Sequence, residues 1–122
     1  MAVGYSYEAT DNLVVIEGSG VVTLEDRFDC IRTIVNDPEL PHRFQVLVLA
    51  SNIEQAPPAG DLPHMSALVD RLRQRSRSRI AILNATVGHF TLSQLVALLS
   101  SDGPRMVQAF SSEAAARTWL TE

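Results

Sequence analysis

The apolar residues of this chain are densest in one stretch near its middle. Phe44 to Ser51 reads Phe-Gln-Val-Leu-Val-Leu-Ala-Ser and has one polar side chain before the final serine. The stretch is too short to span a membrane, and it lacks the polar alternation of a half-exposed strand. Continuous runs of β-branched residues and leucine are typical of strands in parallel sheets, where helices cover both faces. The pattern therefore predicts an α/β fold with this strand at its centre.

The first third of the chain has the pattern of a β-hairpin followed by a helix. Apolar residues alternate from Val3 to Ala9, and a second apolar run, Leu13 to Ile16, follows the turn residues Asp11-Asn12. This arrangement predicts two antiparallel strands. Thr23 then offers an N-cap hydroxyl, and the apolar residues after it recur at helical spacing until Pro38 ends the helix.

The rest of the chain alternates between helical and strand patterns. Pro57-Pro58 indicates a loop, and Asp61 is placed to cap the helix that follows. The later predicted elements are a strand from Ile80 to Leu83, a helix with a buried stripe of Leu92, Leu95, Val96 and Leu99, a strand from Met106 to Phe110, and a terminal helix anchored by Trp119 and Leu120.

The order β-β-α-β-α-β-α-β-α predicts right-handed crossovers and a mostly parallel sheet. A length of 122 residues suffices for one domain and falls short of two. With 46% hydrophobic and 20% charged residues, the composition is that of a globular protein. We therefore expect a single domain over residues 1–122, with a mixed, mostly parallel five-stranded sheet, an N-terminal antiparallel hairpin and about four helices.

Three segments, taken with this order of elements, carry a family resemblance. They are Gly20 to Asp26 after the second strand, Arg79 to Ile82 at the fourth strand, and Phe110 to Leu120 at the end. With them the chain resembles the SpoIIAA-like, STAS-type domain family over nearly its whole length. These segments are packing and capping signatures, so they indicate the fold more specifically than the function.

The resemblance implies a small bacterial domain that is not an enzyme and that regulates by binding a protein partner. It also implies homodimers, and a switch in which a Ser or Thr after the third strand is phosphorylated, usually following an Asp. In this chain Ser51 supplies the hydroxyl, but Ala50 stands where the acidic residue would be. We therefore expect Ser51 to remain unphosphorylated.

The net charge of −4 disfavours general binding to nucleic acid or to an anionic membrane. No apolar run reaches the length of a membrane span. The segment from Met1 to Tyr5 lacks the basic and apolar regions of a secretory signal, so we expect a cytoplasmic protein. The identity of its partner is not encoded in any motif.

Candidate chemistry along the chain is sparse. Cys30 is the single cysteine, and its place beside the apolar stripe of the first helix favours a packed core thiol. The three histidines lie more than twenty residues apart without ligand spacing, so we expect no metal, no cofactor and no catalytic residues. Gly18-Ser19-Gly20 lacks the third glycine of a dinucleotide fingerprint, which favours a simple turn.

A cluster of arginines is the first feature that could carry a function. Half of the ten basic residues lie within nine positions, at the end of the second predicted helix. They are Arg71, Arg73, Arg75, Arg77 and Arg79. The favoured interpretation is that these arginines are solvated and compensate the helix dipole at its negative end. The alternative is that they form a basic patch that binds an anion or an acidic partner.

The second feature is a pair of loops that follow the third and fourth strands. Ligands of open parallel sheets bind beyond the carboxyl ends of the strands. The two loops therefore indicate a crevice at the carboxyl ends of these strands. The alternative function is that of a small-molecule-binding protein or weak enzyme that uses this crevice. The polar residues placed to converge in it are Ser51, Asn52, Asn84, Thr86 and His89.

Overall fold

A computed structural model of the chain describes residues 2–54, 58–84, 94–97, 101, 103 and 105–122. Its strands are β1 (Val3–Glu8), β2 (Leu13–Gly20), β3 (Gln45–Ile53), β4 (Ile80–Leu83) and β5 (Val107–Phe110). Its helices are α1 (Leu24–Val35), α2 (Leu62–Ser76), α3, of which residues 94–97 are described, and α4 (Glu113–Leu120). Short 3₁₀ turns occupy Ala9–Asp11 and Ala59–Asp61.

The five strands form one sheet in the order β1-β2-β3-β4-β5. β1 pairs with β2 in antiparallel fashion, and the other three pairings are parallel. The predicted α/β class, the antiparallel hairpin and the central place of the third strand are confirmed. Within the described part of the chain, no helix is long and apolar enough to cross a membrane.

The helices that connect parallel strands lie together on one face of the sheet. α1, α2 and the described part of α3 pack against the side chains of Val14, Val46 and Ile80. Right-handed crossovers place each connecting helix on the same side when every new strand is added at the same edge. α4 follows the last strand, so it is free to cover the opposite face, where Ala116 and Leu120 are buried.

Successive rows of side chains cross the sheet on the face covered by α1 and α2. Val14, Val46, Ile80 and Val107 are paired across four strands, and none of the four is exposed. Ile34, Phe44 and Leu72 are buried to a similar degree in the same core cluster. The amino ends of the strands are therefore the most tightly packed part of the molecule.

The C-terminal helix is held on the opposite face by polar contacts as well as apolar ones. The Arg79 guanidinium donates a hydrogen bond to the carbonyl oxygen of Trp119 at 2.6 Å and lies over its ring at 5.0 Å. The side-chain amide of Gln45 donates to the carbonyl oxygen of Leu120 at 2.7 Å. These bonds satisfy carbonyl groups that the end of a helix leaves without partners, and they confirm that Trp119 and Leu120 anchor the C-terminus.

The helix caps agree with the sequence at α1 and differ from it at α2. The Thr23 hydroxyl accepts a hydrogen bond from the amide of Asp26, whose carboxylate accepts one from the amide of Thr23 in return. Asp61 stands at the N-cap of α2, but its side chain makes no capping hydrogen bond. Its backbone is already helical there, so the carboxylate does not face the free amides as an extended N-cap residue would.

Two other local expectations were wrong. Of the predicted stripe of the third helix, Val96 is buried as expected but Leu95 is exposed, and Ala97 is buried in addition. Leu92 and Leu99 lie outside the described residues. Gly18-Ser19-Gly20 is the last part of β2 and is not a turn. A side-chain carbon at Gly18 would lie 3.0 Å from Ile53 Cδ1, so glycine there allows a close approach of the neighbouring strand.

The hydrogen bond of Tyr5 should make the stability of this fold depend on pH. Its hydroxyl donates to the Asp37 carboxylate at 2.7 Å, and burial, with that hydrogen bond, raises the pKa of Tyr5 to about 12. The folded state therefore holds the phenol proton more tightly than the unfolded state, whose value is about 10. We expect the free energy of unfolding to be unaffected by this group below pH 10 and to fall between about 10 and 12, by on the order of 1 kcal/mol because solvent screens the group.

Urea unfolding at pH 9 and pH 11 would measure this loss. The Tyr5→Phe variant should lack it, whereas Tyr7→Phe, which removes a hydroxyl bonded to Asn12, should keep it. A loss that persists in Tyr5→Phe would contradict the assignment.

Candidate functional site

A cavity of about 140 Å³ lies between the sheet and the helices α1 and α2. We refer to it as the α1–α2 cavity. Its walls include Cys30 and Ile31 of α1 and Leu68 of α2, and its floor includes Val48 and Ile82 of the sheet. Among the described residues, its lining is aliphatic, methionine or glycine except at Arg27, Cys30 and Asn84.

The cavity exists because the sheet presents small or polar side chains at one level. On the face toward α1 and α2, side chains alternate along each strand. The first two levels carry Val or Ile on β2, β3 and β4. The third level carries Gly18, Ala50 and Asn84. Ile53 and Val22 occupy the space beside Gly18, whereas Ala50 leaves space that a larger aliphatic side chain would fill.

Three polar side chains reach this apolar space. Asn84 is buried, and its backbone amide donates to the Phe110 carbonyl oxygen at 2.9 Å. Burial raises the pKa of the Cys30 thiol to about 11. Burial also lowers the pKa of the Arg27 guanidinium, with the nearby Asp61 and Asp26 opposing that shift. Within the described residues, the Arg27 guanidinium donates one hydrogen bond, from Nη1 to the carbonyl oxygen of Val22 at 3.2 Å.

The residues predicted to converge in a crevice differ in their relation to the α1–α2 cavity. Asn84 lines the α1–α2 cavity. Ser51 and Asn52 lie within β3, which continues to Ile53, and they are not among the residues that line the cavity. Thr86 and His89 lie outside the described residues. Of the predicted set, the structure therefore connects Asn84 with the cavity.

The order of the strands explains why the cavity lies between the sheet and the helices and not at an open edge of the sheet. A crevice beyond the strand ends forms where the strand order reverses and helices diverge to opposite faces. The described strands follow one another in sequence across the sheet, without such a reversal. The available space is therefore between the sheet and the two helices on its covered face.

Sequence reasoning missed Arg27, Gly18 and Ala50 as site residues, although a signal for them was present. Alternation along β2 and β3 places Gly18 and Ala50 on the same face as Val14 and Val46, at the far end of each strand. A level of small inward-facing residues on neighbouring strands indicates a gap in the core. Recognising it required the strand order and the register.

The predicted basic patch is divided among several structural roles. Arg75 donates to the carbonyl oxygen of Pro41 at 3.1 Å and lies over the Phe44 ring at 5.0 Å. Arg79 holds α4, as described above. Arg77 forms the left-handed C-cap of α2 with φ of 58°. Arg73 is partly buried. These contacts hold the molecule together, and they spread the guanidinium groups over different surfaces.

Arg71 contributes to a different exposed feature. Phe28 of α1 is 40% exposed, and the guanidinium groups of Arg32 and Arg71 lie over its ring at 5.6 and 5.7 Å. We refer to these three residues as the Phe28 surface. An exposed aromatic ring with flanking arginines is a composition that protein interfaces favour.

The comparisons with known proteins leave the family open. Neither a protein-family model nor a curated protein matches this chain. The resemblance to the STAS-type family therefore remains a prediction from the sequence. Among the described residues, no group of three or more His, Cys, Asp or Glu side chains is placed to hold a metal ion.

The Cys30 thiol gives a direct test of the cavity. Its raised pKa lowers the thiolate fraction at neutral pH about a hundredfold relative to the ordinary value of 9.0, and the thiolate is the reactive form. We expect methyl methanethiosulfonate at pH 8 to modify the folded protein at least about a hundredfold more slowly than the protein unfolded in urea. Mass spectrometry against time would measure both rates. Equal rates would show that the thiol is not buried.

Proposed function

We propose that this chain is a non-enzymatic binding module whose ligand is a small apolar molecule held in the α1–α2 cavity. The observation that carries the proposal is the cavity itself, with about 140 Å³ of space and a lining that, among the described residues, is apolar except at three side chains. Binding sites for small molecules have this character, with a mostly apolar wall and a few polar groups. An apolar cavity of roughly 150 Å³ is known to hold benzene.

The energy of an empty cavity supports the same proposal. Residual volume in a closed cavity destabilises a core by about 24 cal/mol per Å³, so roughly 3 kcal/mol is the upper limit of the cost for this partly open space. Total stabilities are only about 5–15 kcal/mol. The small side chain of Ala50 therefore weakens the packing of the core, whereas a bound ligand would recover the lost contacts. Water is a poor substitute because it needs several polar partners.

Ligand-dependent stabilisation would test this function. A neutral probe, toluene, should raise the unfolding midpoint, because a ligand that binds the native state alone stabilises it by about 1.4 kcal/mol at ten times its Kd. An Ala50→Leu variant places a larger side chain in the cavity and should lose this effect. Thermal unfolding with and without toluene measures the shift within each protein, so any change in the variant's own stability does not enter.

The matched control is Ala114→Leu, the same substitution at an exposed position of α4. α4 packs on the other face of the sheet, so this variant should keep the full toluene effect. No shift in the unaltered protein, or an equal shift in Ala50→Leu, would overturn the proposal.

The second candidate function is the regulatory, protein-binding role that the STAS-type resemblance implies. The observation in its favour is the Phe28 surface, whose half-exposed ring and two guanidinium groups suit a partner with apolar and acidic side chains. The homodimer, the bacterial origin and the cytoplasmic location expected from the sequence belong to this candidate. The partner is unidentified.

The geometry around Ser51 supports the expectation that this candidate works without a phosphorylation switch. Ser51 lies inside β3 and is partly buried, and α2 begins only at Leu62. A phosphate gains most from the free amides and the positive end of a helix. Those groups are not adjacent to Ser51 in the chain.

Affinity capture from the native host would test the Phe28 surface. We expect a Phe28→Ser bait to lose a protein that the unaltered bait retains, because the apolar ring is removed. Tyr7→Ser is the control, since Tyr7 is a similarly exposed aromatic residue on β1, at 38% against 40%. Loss of the protein from both baits, or from neither, would remove the support for this surface.

A further inference from the structure

We infer that the ligand of the α1–α2 cavity is a small monocarboxylate, with its apolar body in the cavity and its carboxylate group on Arg27. The inference rests on the proposed function and adds the chemical class of the ligand. It is carried by the position, bonding and surroundings of the Arg27 side chain.

Arg27 combines a place in the cavity wall with donors that remain available. It belongs to the first turn of α1, it lines the cavity, and it is partly exposed. A guanidinium group carries five N–H donors in a fixed fork. Among the described residues one of them is used, on the carbonyl oxygen of Val22. The rest of the fork can bind both oxygens of a carboxylate, which is the geometry that arginine favours.

The charges around Arg27 favour a ligand with a single negative charge. A partly buried cation is poorly hydrated, and a carboxylate would restore part of the lost interaction energy. The positive end of α1 adds to the attraction for an anion. Asp26 and Asp61 are the acidic groups that influence Arg27, and Asp26 is occupied with the amide of Thr23 at 3.0 Å. Their negative charge opposes a dianion such as a phosphate monoester more strongly than a monocarboxylate.

The size of the cavity limits the apolar body. A space of about 140 Å³ is close to the roughly 150 Å³ that holds benzene, so one six-membered ring or a chain of about six carbons is the expected body. Long-chain fatty acids are too large. Benzoate therefore represents the class, and benzamide is its neutral counterpart with the same number of non-hydrogen atoms.

Calorimetric titration of both compounds into the full chain would test the inference. Benzoate should bind at least about tenfold more tightly than benzamide, because hydrogen bonds to charged groups are worth more than those between neutral groups. In Arg27→Met this preference should disappear, while benzamide affinity stays within about threefold. Arg27→Lys, which keeps the charge and loses the fork, should retain part of the preference.

Arg32→Met is the matched control on the same helix, since Arg32 pairs with Asp29 at the surface and is not among the residues that line the cavity. It should leave both affinities unchanged, and circular dichroism would confirm that each variant is folded. The inference is overturned if benzoate binds no better than benzamide in the unaltered protein, or if the preference survives in Arg27→Met. Toluene binding without a benzoate preference would overturn this inference alone, whereas failure of toluene, benzamide and benzoate together would overturn the proposed function as well.

Discussion

The handedness of β-α-β crossovers is the constraint on which the rest of this structure depends. A parallel strand that follows a helix is almost always reached by a right-handed crossover. Because each new strand here is added at the same edge, this rule places α1, α2 and the described part of α3 on one face. The opposite face is covered by α4, which follows β5. Of the helices that the structure describes, three therefore lie on one face of the sheet and α4 lies on the other.

The unequal layers explain where space for a ligand arises. Two helices that lie side by side on a twisted sheet can pack closely over large side chains such as Ile34, Phe44 and Leu72. Farther along the strands the sheet contributes Gly18, Ala50 and Asn84, and the rigid helices cannot move in to compensate. The same layer thus contains the best-packed part of the core and its cavity.

The number of arginines in a segment of the sequence does not determine whether they form a basic surface. Five of them lie together in the sequence from Arg71 to Arg79, yet Arg75 and Arg79 donate to backbone carbonyl groups at the ends of other segments. A guanidinium group is well suited to this role because it offers several donors and can also stack on an aromatic ring. Arg27 is isolated in the sequence, and it is the arginine whose side chain lines the cavity. The local surroundings of each side chain, rather than its neighbours in the sequence, decide what it can bind.

The sequence by itself determined the class of fold and the positions of most elements. Hydrophobic periodicity is a local property, and it is strong in the run that became β3 and in the capped start of α1 at Thr23. The hairpin, the order of elements and the burial of Cys30 followed from the same local signals. The tertiary structure decided the site, because Gly18, Ala50 and Asn84 come from three segments that only the assembled sheet brings together, at the point where the β2–β3 ladder shifts register between Glu17 and Ser19. It also decided that Asn84 lines the cavity between the sheet and the helices, whereas Ser51 and Asn52 are not among the residues that line it.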